Sequence, residues 1–152
     1  MALRDRFTED LKTAMKAGEK MRVSTIRMVQ AALKDRDIEA RGSGKGPVGE
    51  DEILAMLQKM IKQRQESIAI YEANGRPELA AGERDEAGVI SAYLPAAMSD
   101  DDVADAIRDA VAETGAASMK DMGKVIGVLR GKYAGRMDFG AVSGKVKAAL
   151  AG

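Results

Sequence analysis

Three glycines that step by four through an otherwise helical pattern constrain this chain more than any other feature. Between Ser118 and Phe139, Met122, Ile126, Leu129 and Tyr133 recur at intervals of four, three and four, which is one apolar helical stripe. Gly123, Gly127 and Gly131 make a second stripe with no side chains. Each glycine in a helix interior costs roughly 0.5–1 kcal/mol relative to alanine, so three on one face imply that something approaches the backbone. Lys120, Lys124, Arg130, Lys132 and Arg136 surround them. One interpretation is an anionic polymer lying on the bare stripe and held by the cations. The other is tight helix–helix packing beside solvated lysines. Spacing alone leaves both open.

The rest of the composition narrows the chemistry. Formal net charge is zero, 24 bases against 24 acids, so nucleic-acid binding has to come from local clustering. Cysteine is absent, which excludes disulfides and thiolate chemistry. Histidine is absent too, which removes the usual general base near neutral pH and the commonest metal ligand. With five aromatics, ten methionines and many alanines, the apolar share suits helices rather than sheets. No signal-peptide pattern opens the chain and no segment reaches the length of a membrane span. The expectation is a cytoplasmic, all-α protein with no membrane partner, no cofactor and no metal.

Taken in order, Leu3, Phe7, Leu11 and Met15 mark a first helix, ended by Gly18. A second runs from about Lys20 to Glu39, with Val23, Ile26, Val29 and Leu33 on its buried face. Ala40 to Gly49 reads as a mobile, glycine-rich connector that fits neither phosphate-loop nor dinucleotide fingerprints. Glu50, Asp51 and Glu52 open a third helix at its positive dipole end, and Asn74-Gly75 closes it. A fourth starts at Pro77 and reaches Tyr93 through Leu79, Val89 and Ile90, before Leu94-Pro95 ends it.

A boundary is expected near Ala96 to Ser99. It divides an N-terminal, four-helix bundle-like part over residues 1–95 from a C-terminal three-helix domain over residues 99–152. Ser99, Ser118 and Asp138 are the expected N-caps of the last three helices. Charge is sorted within that tail: residues 99–115 hold six acids and one base, whereas Met119 to Lys147 holds seven bases and two acids. A solvated surface does not require sorting by sign, so the segregation favours binding.

Catalytic groupings are weak. Asp35, Asp37 and Glu39 cluster near a helix end, and Glu83 and Glu86 lie one turn apart beside Arg84 and Arg76, where a surface or interdomain ion pair explains them better than acid–base work does. Scarce aromatics argue against base stacking, so any nucleic acid is gripped by phosphate and shape.

Several runs together resemble the YqeY family, whose domain also forms the tail of the GatB subunit of tRNA-dependent amidotransferases. They are Arg22 to Met28, Lys62 to Ser67, Gly75 to Ala80, Tyr93-Leu-Pro95, Met119 to Val125 and Gly135 to Asp138. The resemblance implies a helical N-terminal part and a small tail that engages tRNA. Similar domains on glutaminyl-tRNA synthetases look like tRNA-affinity modules. Carried over by motif, Gly123, Lys124, Gly135 and Arg136 are the RNA contacts; the bare stripe adds Gly127, and charge adds Lys120, Lys132, Lys145 and Lys147. The implied function is a non-catalytic accessory that binds tRNA or another folded RNA. Two alternatives remain. One is an interaction module of an amidotransferase or aminoacyl-tRNA synthetase. The other is a component of a carbon–nitrogen ligase with glutamine as amide donor, although the amidotransferase's catalytic machinery lies outside the shared region.

Overall fold

A computed structural model describes residues 1–151, and among them every regular element is helical. Seven α-helices follow in order: α1 Leu3–Ala17, α2 Lys20–Gly42, α3 Glu50–Ala73, α4 Pro77–Ser91, α5 Asp100–Thr114, α6 Met122–Tyr133 and α7 Phe139–Ala151. The all-α expectation is therefore met. The chain divides into two compact units, Met1–Leu94 and a second that begins at Pro95.

In the first unit α3 packs most extensively on α4, and α2 packs on α1 and α4. Its core gathers Leu3 and Phe7 of α1, Ile26, Val29 and Leu33 of α2, Ile53, Leu57 and Met60 of α3, and Ile90 and Tyr93 near the end of α4. Phe7 meets the Tyr93 ring edge-on at 4.8 Å between centroids. The Tyr93 hydroxyl donates to Asp10 at 2.5 Å, and Arg6 lies over the same ring. Burial, and then the Asp10 carboxylate, push the Tyr93 phenol above its ordinary value.

Four details differ from the sequence expectation. Ala14, not Met15, continues the buried face of α1. Helix α4 ends at Ser91, so Tyr93 lies beyond it, and Leu79 is exposed. Between residues 61 and 89 only Ala80 is buried, so Leu79 lies on a stretch of α4 away from the deep core.

The connector between α2 and α3 is shorter than expected and fastened at its far end. Val48 is buried, its N–H donates to Asp37 at 3.0 Å, and its carbonyl accepts from Arg4 at 2.9 Å. Arg4 also forms a two-pronged pair with Asp37, both distances 2.8 Å. The Arg4 guanidinium, and then the Val48 N–H, hold the Asp37 carboxyl down at about 2.

The fourth difference lies in the second unit, where α6 is entered through a 3-10 turn at Met119–Asp121 rather than directly. The unit has its own core of Val103, Ile107, Val125, Leu129, Met137, Val142 and Val146. The Ser99 hydroxyl caps α5 by accepting from the Asp102 N–H at 3.1 Å. Asp138 does the same for α7, accepting from Gly140 at 3.0 Å.

Candidate nucleic-acid interface

Helix α6 turns its backbone outward where the glycines lie. Val125 and Leu129 are fully buried, with Met122, Ile126 and Tyr133 half-buried against the same core. Two residues at about 100° each place Gly127 on the side of the helix opposite Leu129. Gly123, Gly127 and Gly131 are all exposed, and among the described residues a Cβ built on any of them meets no neighbouring atom within 4 Å. Close packing by a neighbouring helix of this chain therefore does not account for the stripe. By the same angular spacing Lys124 and Arg130 flank it on either side.

The turn that opens α6 is fixed by Asp121. Its carboxylate accepts from the N–H of Ala117 at 3.0 Å and of Ser118 at 3.4 Å. The Ala117 and Ser118 N–H groups, with Lys124 nearby, keep that carboxyl below its ordinary value. Lys120 sits exposed in the turn.

Gly135 has a different explanation. It is buried, and its φ of 78° is a left-handed conformation that strains any residue with a Cβ. It bends the chain out of α6 and sets Arg136, which donates from Nε to the Ala96 carbonyl at 2.9 Å and lies over Tyr133 at 6.0 Å. Gly135 thus shapes the turn without offering a surface.

The remaining cations are engaged to different degrees. Lys132 Nζ is 2.6 Å from Glu113, and that carboxylate raises its pKa. Lys145 is 3.9 Å from Asp100, and Lys124 is 4.0 Å from Asp121. All three lysines are exposed, and ion pairs of this kind are weak and screened by salt, so a phosphate can displace them. Arg130 stacks over Phe139 at 5.6 Å, which keeps its guanidinium near the surface.

Helix α7 repeats the arrangement, a feature the sequence reading missed. Val142 and Val146 are buried, while Gly144 and Ala148 are exposed on the other side, with exposed Lys145 and Lys147 alongside. The signal was present as small residues stepping by four from Gly140 through Gly144 to Ala148.

The candidate carboxylates go elsewhere. Asp37 belongs to the Arg4 clamp, while Asp35 and Glu39 are exposed. Glu86 pairs with Arg64 at 3.3 Å, Arg84 with Glu72, and Arg76 with Glu78 at 2.8 Å. Among the described residues no three His, Cys, Asp or Glu side chains are grouped to hold a metal ion, and no helix is long and apolar enough to cross a membrane.

Comparison with known proteins matches residues 4–150 to the family described as Yqey-like protein. The chain is also similar to fungal proteins named "Altered inheritance of mitochondria protein 41, mitochondrial". The Saccharomyces cerevisiae protein is 35% identical over 85 residues, 56% of this chain and 44% of the relative. That of Vanderwaltozyma polyspora is 34% identical over 86 residues, 57% and 45%. That of Eremothecium gossypii is 34% identical over 88 residues, 58% and 46%. The chain spans less than half the length of these relatives.

Proposed function

The chain belongs to the YqeY-like family, and from that premise we propose that it is a non-catalytic accessory protein that binds tRNA, or another folded RNA, through its second unit. The observation that supports this reading is the open glycine stripe. A helix bears the propensity cost of Gly123, Gly127 and Gly131, yet among the described residues no atom comes within 4 Å of the Cβ positions they leave empty. A phosphate backbone fills such a face without meeting side chains, while Lys124 and Arg130 on its flanks supply the charge. Lys120, Lys132, Arg136, Lys145 and Lys147 extend the basic area, and Gly135 contributes by shaping the turn before Arg136.

The six acids of α5 lie in the same unit and repel phosphate, so the RNA contacts one side of it only. The cytoplasmic placement read from the sequence stays part of this proposal. The mitochondrial designation belongs to the relatives by name.

Filter retention of labelled tRNA tests the reading. Lys124→Glu combined with Arg130→Glu is expected to abolish retention at low salt while leaving helicity unchanged; full retention by that variant rejects the assignment. The pair avoids Arg136, whose bond to the Ala96 carbonyl ties its replacement to folding.

A second reading, a docking module for an amidotransferase or aminoacyl-tRNA synthetase, draws on the exposed acids Asp101, Asp102 and Asp109 of α5. RNase-resistant capture of one such enzyme, with no enriched tRNA, favours it. The ligase alternative requires the purified chain to release glutamate from glutamine in the presence of charged tRNA and ATP.

A further inference from the structure

Helix α2 carries a second organised surface, in the first unit and independent of the RNA reading. Lys20, Arg27, Lys34 and Arg41 stand at every seventh residue, and all four are exposed. They run the length of the helix, about 30 Å at the α-helical rise. Lys20 and Lys34 form no ion pair among the described residues, and Arg27 reaches only the Met15 sulfur at 4.0 Å.

Beside this row runs an apolar line that faces solvent although α2 buries its other side in the core. Met21, Met28 and Ile38 are 44%, 37% and 55% exposed, and the Met28 sulfur accepts from Arg64 of α3 at 3.1 Å. Ser24 and Ala31 fill the positions between them, giving steps of three, four, three and seven. That is the spacing of a two-stranded coiled-coil seam, and a charged row at heptad intervals beside such a seam is what selects a partner helix. Methionine in the seam adapts to the facing side chains.

We propose that the solvent face of α2 docks an amphipathic helix of another protein. That helix carries an apolar seam flanked by glutamate or aspartate at heptad spacing, with a basic or amide residue facing Asp35. The base row supplies the charge complementarity, and Asp35 breaks the apolar line at the position Met28 and Met21 occupy one and two heptads earlier, respectively, which fixes register.

A second copy of this chain does not meet the requirement. Antiparallel pairing sets the base row against itself, and parallel pairing sets it against Thr25, Ala32 and Glu39, the first of which is buried. Helix α5 is acidic, but Val103 and Ile107 are committed to its own core. RNA leaves the apolar line without a use.

The test uses the full chain and two labelled three-heptad peptides that share one apolar seam. Glutamate flanks the seam in one and lysine in the other, so neither self-associates. Fluorescence anisotropy is expected to give saturable binding of the glutamate peptide, with a gain of helix on circular dichroism. Lys20→Glu with Arg27→Glu and Lys34→Glu weakens it at least tenfold and brings on binding of the lysine peptide, a gain that misfolding does not produce. Ile38→Asp, with every base in place, weakens the glutamate peptide at least tenfold.

Absence of saturable binding, or equal binding of both peptides, overturns the proposal. So does an RNA duplex whose binding is lost in the triple variant but kept in Lys124→Glu/Arg130→Glu. Loss of tRNA retention in the latter variant alone leaves the α2 surface unaffected, so the two readings fail separately.

Discussion

Asp37 ties three parts of the first unit together with one carboxylate: it receives two bonds from Arg4 and one from the Val48 N–H. Its pKa lies at about 2, below the ordinary 3.8, so its contribution to stability is present above 3.8 and is lost as pH falls through about 2. In urea unfolding across acid pH, Asp37→Asn is therefore expected to be less stable than the parent above pH 3.8, with the gap closing as pH falls through about 2. A gap that does not change with pH contradicts this assignment.

The sequence presented Asp37 as one of three clustered acids and could not single it out. Its partner Arg4 lies 33 residues away, outside any helical period. Gly135 was legible as a special position, but its task was not. A left-handed turn and a phosphate contact both call for glycine, and only burial separates them.

At the level of single helices, periodicity carried most of the information and angular drift limited it. A repeat of four advances about 40° per step on a helix of 3.6 residues per turn. From Leu3 through Phe7 and Leu11 the line has therefore turned away from the core by Met15, and Ala14 rotates in. The same arithmetic makes Val125 and Leu129 the buried pair of α6.

The glycine stripe was legible as a pattern, although spacing could not separate packing from access. The open space at each Cβ position now sets a sign. Gly127→Ala is expected to stabilise the free chain by about 0.5–1 kcal/mol, because it gains helix propensity and meets no clash. Thermal or urea unfolding reads this directly; destabilisation would mean that the face is covered.

Across the whole molecule, 24 bases cancel 24 acids, so long-range attraction to a polyanion is weak and binding has to arise from contact with the basic part of the second unit. About four to six phosphate contacts give a log–log salt slope of about −3 to −5. A titration from low to moderate salt is expected to fall in that range, and a flat profile excludes phosphate gripping.

Sorting of charge by sign between residues 99–115 and the two helices that follow was readable from the sequence, because it needs only counting. Which lysines are already paired was not, since Lys132 with Glu113 and Lys145 with Asp100 depend on how α6 and α7 meet α5. The central claim is that bare backbone on α6, and not charge alone, admits the RNA. It is tested most directly by tRNA affinity of Gly123→Gln/Gly127→Gln, which keeps every charge and adds only side chains to that face. The expected result is affinity at least tenfold weaker at unchanged or higher thermal stability; affinity equal to the parent's contradicts the claim.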